Sequence, residues 1–115
     1  MNRTKHTGTI ASPIHYGKTT AGVDVANFRL EVKREYVDYH TQQIHQGKES
    51  FPIVAWGSQV TTLRNAGEGV TLTVEGELRS KYFAPKDTKK GIYRLEIHAN
   101  EIRLIDTSDT STNDK

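Results

Sequence analysis

Two stretches in the second half of the chain alternate strictly between apolar and polar positions. Val70, Leu72, Val74 and Leu78 interleave with Thr71, Thr73, Glu75, Glu77, Arg79 and Lys81, a period of two that puts the two sets on opposite faces of a half-buried strand. Gly76 takes an inward position in that strand, which predicts a sharp bend or a close backbone approach. A second run begins at Ile92, with Tyr93, Leu95, Ile97 and Ala99 on one face and Arg94, Glu96, His98 and Asn100 on the other. The apolar phase then passes to Ile102 and Leu104, and one inserted residue near Asn100, a β-bulge, accounts for the shift. Earlier, Phe28, Leu30 and Val32 alternate with Arg29, Glu31 and Lys33, FPIVAW (51–56) is an unbroken apolar run, and a shorter strand is expected over 7–11. Between the third and fourth of these strands, SQVTTLRNAGEG offers Ser58 as N-cap, Val60 and Leu63 on one helical face, and Gly67 as a stop. That predicts a helix of about two turns.

The expected fold class is therefore all-β: a five-stranded barrel with one short helix between strands three and four. This is the layout of the OB-fold, whose strands 2 and 3 and loops L12 and L45 bind oligonucleotides or oligosaccharides. A chain of 115 residues with 34% apolar content suits one domain with a small core. That domain is expected to span 1–105, because the last ten residues, DTSDTSTNDK, offer nothing apolar to offset their ordering entropy and read as a disordered polar tail. The absence of cysteine excludes disulfides, thiolate nucleophiles and cysteine-bound zinc. With no apolar leader and no window of membrane-spanning length, a cytoplasmic protein without membrane contact is expected.

Charge changes the picture by where it sits. The net charge is only +2, yet RSKYFAPKDTKKGIYR (79–94) gathers Arg79, Lys81, Lys86, Lys89, Lys90 and Arg94 against the single acid Asp87. The stretch straddles the hairpin joining strands four and five, the L45 position, with APKDTKKG supplying the turn residues. Strand parity puts Arg79, Lys81 and Phe83 on one face and leaves Tyr82 on the other. Cations for phosphates beside a ring for unpaired bases is what a single strand of nucleic acid requires. A charged hairpin tip can also serve solubility alone, but an outward Phe83 has no solubility purpose. Tyr82 and Tyr93 read as core or rim residues, and Trp56 divides evenly between packing and stacking. Arg29 and Lys33, alternating with Glu31, read most simply as a solvated face. GKTT (17–20) lacks the earlier glycine of a phosphate-binding loop, since position 12 is Ser12. His40 and His45 have no carboxylate or thiol partner at a metal spacing. No catalytic constellation, metal or cofactor is expected.

The segments VANFRLEV (25–32), VAWG (54–57), VTLTVEGELRSK (70–81) and IHANEIRLID (97–106) resemble, in the same order, the bacterial single-stranded DNA-binding protein family. The last is especially similar to its primosomal replication protein N branch. The resemblance implies stacking aromatics at Tyr36, Trp56 and Phe83. It places a further family aromatic on Ser50, with Phe51 one position away. It also implies a homo-oligomer, dimer or tetramer, and a role in replication or replication restart. Unlike most of the family, this chain ends at STNDK without an acidic, phenylalanine-containing tip. The candidate nucleic-acid-binding residues are then Arg29, Lys33, Tyr36, Trp56, Arg79, Lys81, Phe83, Lys86, Lys89, Lys90 and Arg94. The expected partner is single-stranded DNA bound without sequence specificity, with RNA left open because nothing here reads a 2′-hydroxyl. The alternative is an adaptor of the primosomal type that mainly bridges other replication proteins. An enzyme or a sugar-binding barrel has no positive support in the sequence.

Overall fold

The structure is a computed structural model and describes residues 1–84, 86 and 90–105. In chain order its elements are β1 (Thr4–Ile10), β2 (His15–Lys18), β3 (Asp24–Val37), β4 (Ile44–Trp56), α1 (Ser58–Leu63), β5 (Thr71–Phe83) and β6 (Ile92–Leu104). The sheet runs β1-β5-β6-β4-β3-β2, and pairing of Thr9 and Ile10 in β1 with Glu31 and Leu30 in β3 closes it. The closed part is a barrel of β1, β3, β4, β5 and β6, with β2 added outside as a hairpin strand on β3. All pairings are antiparallel except β4 with β6, which meet in parallel at Ile53↔Ile97 and Val54↔His98.

The expected place of the helix needs correcting: α1 follows the fourth strand in the chain, not the third. The extra strand is β2, HYGK, which pairs with Asp24–Asn27. All four of its residues are exposed, so no apolar alternation announced it. Ser58 is not the N-cap either. Gly57 holds that place at φ 60° without a side-chain cap, and the helix ends with Arg64 as C-cap, before Gly67. What holds so short a helix is burial of Val60 and Leu63 together with Gln59. The Gln59 amide donates to the Asn100 carbonyl at 3.1 Å, and its oxygen accepts from the Ile102 N–H at 2.7 Å.

Those bonds fall on the predicted bulge. The β5–β6 register runs from Glu75↔Glu101 to Gly76↔Ala99, so Asn100 is the additional residue, and Gln59 takes up backbone groups the ladder leaves unpaired. Gly76 lies in the same place for a steric reason: a Cβ there would overlap the backbone carbonyl of His98. Gly8 has the same relation to the Glu31 carbonyl, where β1 passes from β5 towards β3. Inside, Ile10, Phe28, Leu30, Ile53, Leu72, Val74, Ile97 and Ile102 form the core with Val60 and Leu63, the inward set that the alternation marks. No polar or charged residue is buried among the described residues. Beyond the barrel, β3–β4 and β5–β6 continue as two arms whose outer residues are exposed. No helix is long and apolar enough to cross a membrane.

Candidate nucleic-acid interface

Residues of four neighbouring strands line a groove of about 370 Å³. Val25 and Asn27 of β3, Val54 and Trp56 of β4, Arg79, Ser80 and Lys81 of β5, and Glu96 and His98 of β6 form it. Strand register explains the gathering, because Asn27 pairs with Val54, Val54 with His98, and Arg79 with Glu96. Trp56 is half-buried and meets the His98 ring edge-on, with centroids 4.7 Å apart. His98 Nε2 lies 2.9 Å from Glu96 Oε1, and an Arg79 guanidinium nitrogen lies 3.0 Å from Glu77 Oε1.

The basic hairpin continues the same face outward. Phe83 is 47% exposed, and the Arg94 guanidinium lies 5.5 Å from its ring centre, a cation–π distance. Lys81 stands directly opposite Arg94 in the ladder. Like charges so placed are destabilising in a sheet by themselves. Lys86 and Lys90 are exposed near the turn, while Lys89 and the polar tail from 106 lie outside the described residues. The parity expectation for Arg79, Lys81 and Phe83 against Tyr82 agrees with the register. Tyr82 and Tyr93, however, are not core: they are 56% and 73% exposed, in an edge-on pair at 5.0 Å. With Leu78 and Leu95, also exposed, they make an apolar face on the reverse of the hairpin.

The β3–β4 arm carries the remaining candidates. Arg29 is held to Ser50, through Nε to the hydroxyl at 2.8 Å and NH2 to the carbonyl at 3.0 Å. Lys33 stands opposite Lys48, and both line a larger concavity of about 660 Å³. Tyr36 alternates onto the other face, stacked with His45 at 5.3 Å under the Arg34 guanidinium at 5.1 Å. Along this pairing Val25↔Trp56 and Tyr36↔His45 lie eleven residues apart, a separation of about 36 Å at 3.3 Å per residue. Tyr36 therefore does not join Trp56 and Phe83 in one surface. Ser50 engages Arg29, and Phe51 packs beside His6 at 5.0 Å, so neither supplies the further aromatic. Asn27, Lys48, Glu96 and His98 were not singled out from the sequence. Glu96 and His98 were visible as outward residues, but which strand lies beside Trp56 is fixed by the long-range β4–β6 pairing.

The sequence model of the single-strand binding protein family matches residues 1–105. The comparison with curated proteins returned no match. Among solved structures, the chain resembles the Plasmodium falciparum SSB in complex with ssDNA, with a TM-score of 0.82 and 17% identity, covering 92% of this chain and 96% of that one. It also resembles a deletion mutant of the single-stranded DNA binding protein from Thermus aquaticus, with a TM-score of 0.79 and 18% identity. There the match covers 92% of this chain and 51% of the other, so the chain spans about half of that protein. At these identities the structural likeness establishes the fold.

Proposed function

The chain belongs to the single-strand binding protein family, and from that premise we propose that it coats single-stranded DNA during replication or replication restart. Bases stack on Trp56 and Phe83, and phosphates meet Arg79, Lys81, Lys86, Lys89, Lys90 and Arg94. The observation that carries this assignment is the pairing of like charges beside exposed rings: Lys81 faces Arg94 next to Phe83. Such repulsion is relieved by a polyanion lying along it, while a duplex, whose bases are stacked inward, offers nothing to the ring. Arg29 and Lys33 extend the track along β3, with Lys48 beside them, and Tyr36 contacts a strand only where it wraps around the β3–β4 arm. The binding unit is residues 1–105, the polar tail contributes nothing to affinity, and no catalytic step is assigned. The setting is the cytoplasm.

The exposed Leu78, Tyr82, Tyr93 and Leu95 favour contact with protein, and we assign that face to a second copy of the chain. Sedimentation of the Tyr93→Asp variant tests this, with a smaller assembly expected. The adaptor alternative predicts capture of another replication protein that persists after nuclease treatment and in Phe83→Ala. For the DNA reading, titrations with single strands and with duplex at several salt concentrations are decisive. Phe83→Ala should weaken single-strand binding by roughly 1–3 kcal/mol, the contribution of one stacked base, with an unchanged salt slope. Duplex binding as tight as single-strand binding would defeat the assignment.

A further inference from the structure

An acid is out of place in a groove that takes a polyanion, yet Glu96 lines the groove beside Trp56, Arg79 and Lys81. One of its oxygens is engaged inside the protein, Oε1 with His98 Nε2 at 2.9 Å, and the side chain keeps 22% of its exposure. Its cross-strand neighbour Arg79 does not neutralise it, being turned to Glu77 at 3.0 Å. Against a phosphate this carboxylate repels; against the edge of a base it is a strong acceptor with lone pairs to spare.

The floor decides which of the two it meets. Val54, 6% exposed, is flanked in the ladder by Asn27 on β3 and His98 on β6. Trp56 lies two residues beyond Val54 on β4, and Glu96 two residues before His98 on the parallel β6. Their backbones are about 13 Å apart along the strands, and the His98 ring lies between the side chains, edge-on to Trp56 at 4.7 Å and 2.9 Å from Glu96 through Nε2, so a base lying on Trp56 has the carboxylate at the far side of one imidazole. Phosphates are drawn instead to the cations on the β5 side, Arg79 and Lys81.

We propose that this groove contains a guanine-selective subsite, in which a base held against Trp56 over Val54 presents its pairing edge to the Glu96 carboxylate. Guanine offers N1–H and the N2 amino group side by side, two donors for a group that only accepts. Thymine offers one N–H between two carbonyl oxygens, which the carboxylate repels, and adenine and cytosine each set an amino group beside an acceptor. The subsite rests on the single-strand reading above and adds a preference at one position to binding that is otherwise neutral to sequence.

The test measures fluorescence anisotropy of the full chain with labelled strands of equal length: oligothymidine, oligothymidine with isolated guanines, and the same strand with inosine, which lacks the N2 amino group, at those positions. The wild type should bind the guanine-bearing strand about 10-fold more tightly than oligothymidine, within the range of one bidentate base contact, with inosine between them, and Glu96→Gln should compress the series to within about two-fold. Gln keeps the shape of Glu and can still accept from His98, so the fold is retained. Equal wild-type affinities, or a Glu96→Gln variant that tightens every strand by one common factor, would overturn the subsite while leaving single-strand binding intact. Failure of every strand to bind would overturn both.

Discussion

Replacing Lys81 by Gln should make the free protein slightly more stable and the DNA complex weaker. In the β5–β6 ladder Lys81 and Arg94 are directly opposed, which sets their Cβ atoms about 5 Å apart. With the charged ends about 7 Å apart in water, their repulsion is about 0.6 kcal/mol before salt screening. Chemical denaturation of Lys81→Gln at low salt should therefore show a gain of about 0.5 kcal/mol that fades as salt is added. In the proposed complex the same lysine is assigned to a phosphate, so the slope of log affinity against log salt should fall by about 0.7, with a loss of about 8-fold at 50 mM salt and about 4-fold at 150 mM. Both arms are needed. If Lys81→Gln destabilised the free protein, or bound less tightly with an unaltered slope, Lys81 would be a structural residue and the like-charge reasoning would be refuted.

Other outcomes follow from the same geometry. Gly76→Ala should destabilise the fold by about 3 kcal/mol or fail to fold, because the new methyl overlaps backbone that cannot yield, and a urea titration measures it. Gln59→Ala removes the partners of the Asn100 carbonyl and the Ile102 N–H and should lower stability by about 1–3 kcal/mol in the same assay. Asp24 is held below the usual aspartate range by its hydrogen bond from Lys18 and then by the lysine's charge. Glu75 is held below the usual glutamate range by its hydrogen bond from Arg3, which outweighs the opposing effect of burial. Because both folded values are depressed, their stabilisation is present above the ordinary carboxylate pKa and disappears as pH falls through the folded values. Stability should thus decline on the acid side, and NMR titration of Lys18→Ala should find the Asp24 carboxyl shifted back up.

The fold was largely legible because its strands are half-buried and its core positions recur at a period of two. Even the bulge could be read from the displaced phase around Asn100, and the close approach at Gly76 from a glycine where an apolar residue belongs. What escaped had no such signature. All four residues of β2 are exposed, so its pairing with β3 left no apolar pattern. The uncapped α1 is fixed by Gln59 and two buried side chains, contacts made far along the chain. The candidate interface was half legible: parity alone ranged Arg79, Lys81 and Phe83 on one face, yet the closeness of Trp56 to His98 and Glu96 depends on two parallel pairs between β4 and β6. Tyr36 followed from resemblance and lies on the opposite face of its arm, while Tyr82 and Tyr93, expected as core or rim residues, are exposed because β5 and β6 run on past the end of the barrel.

The most direct measurement is a titration of intrinsic fluorescence with oligothymidine, read against a duplex of the same length. Trp56 is the only tryptophan, it borders the groove, and a base stacking on it quenches its emission. Saturable quenching by the single strand, with little response to the duplex, is the predicted result. An emission that stays unchanged while the strand is bound would place the DNA elsewhere on the protein and contradict the assignment of this groove.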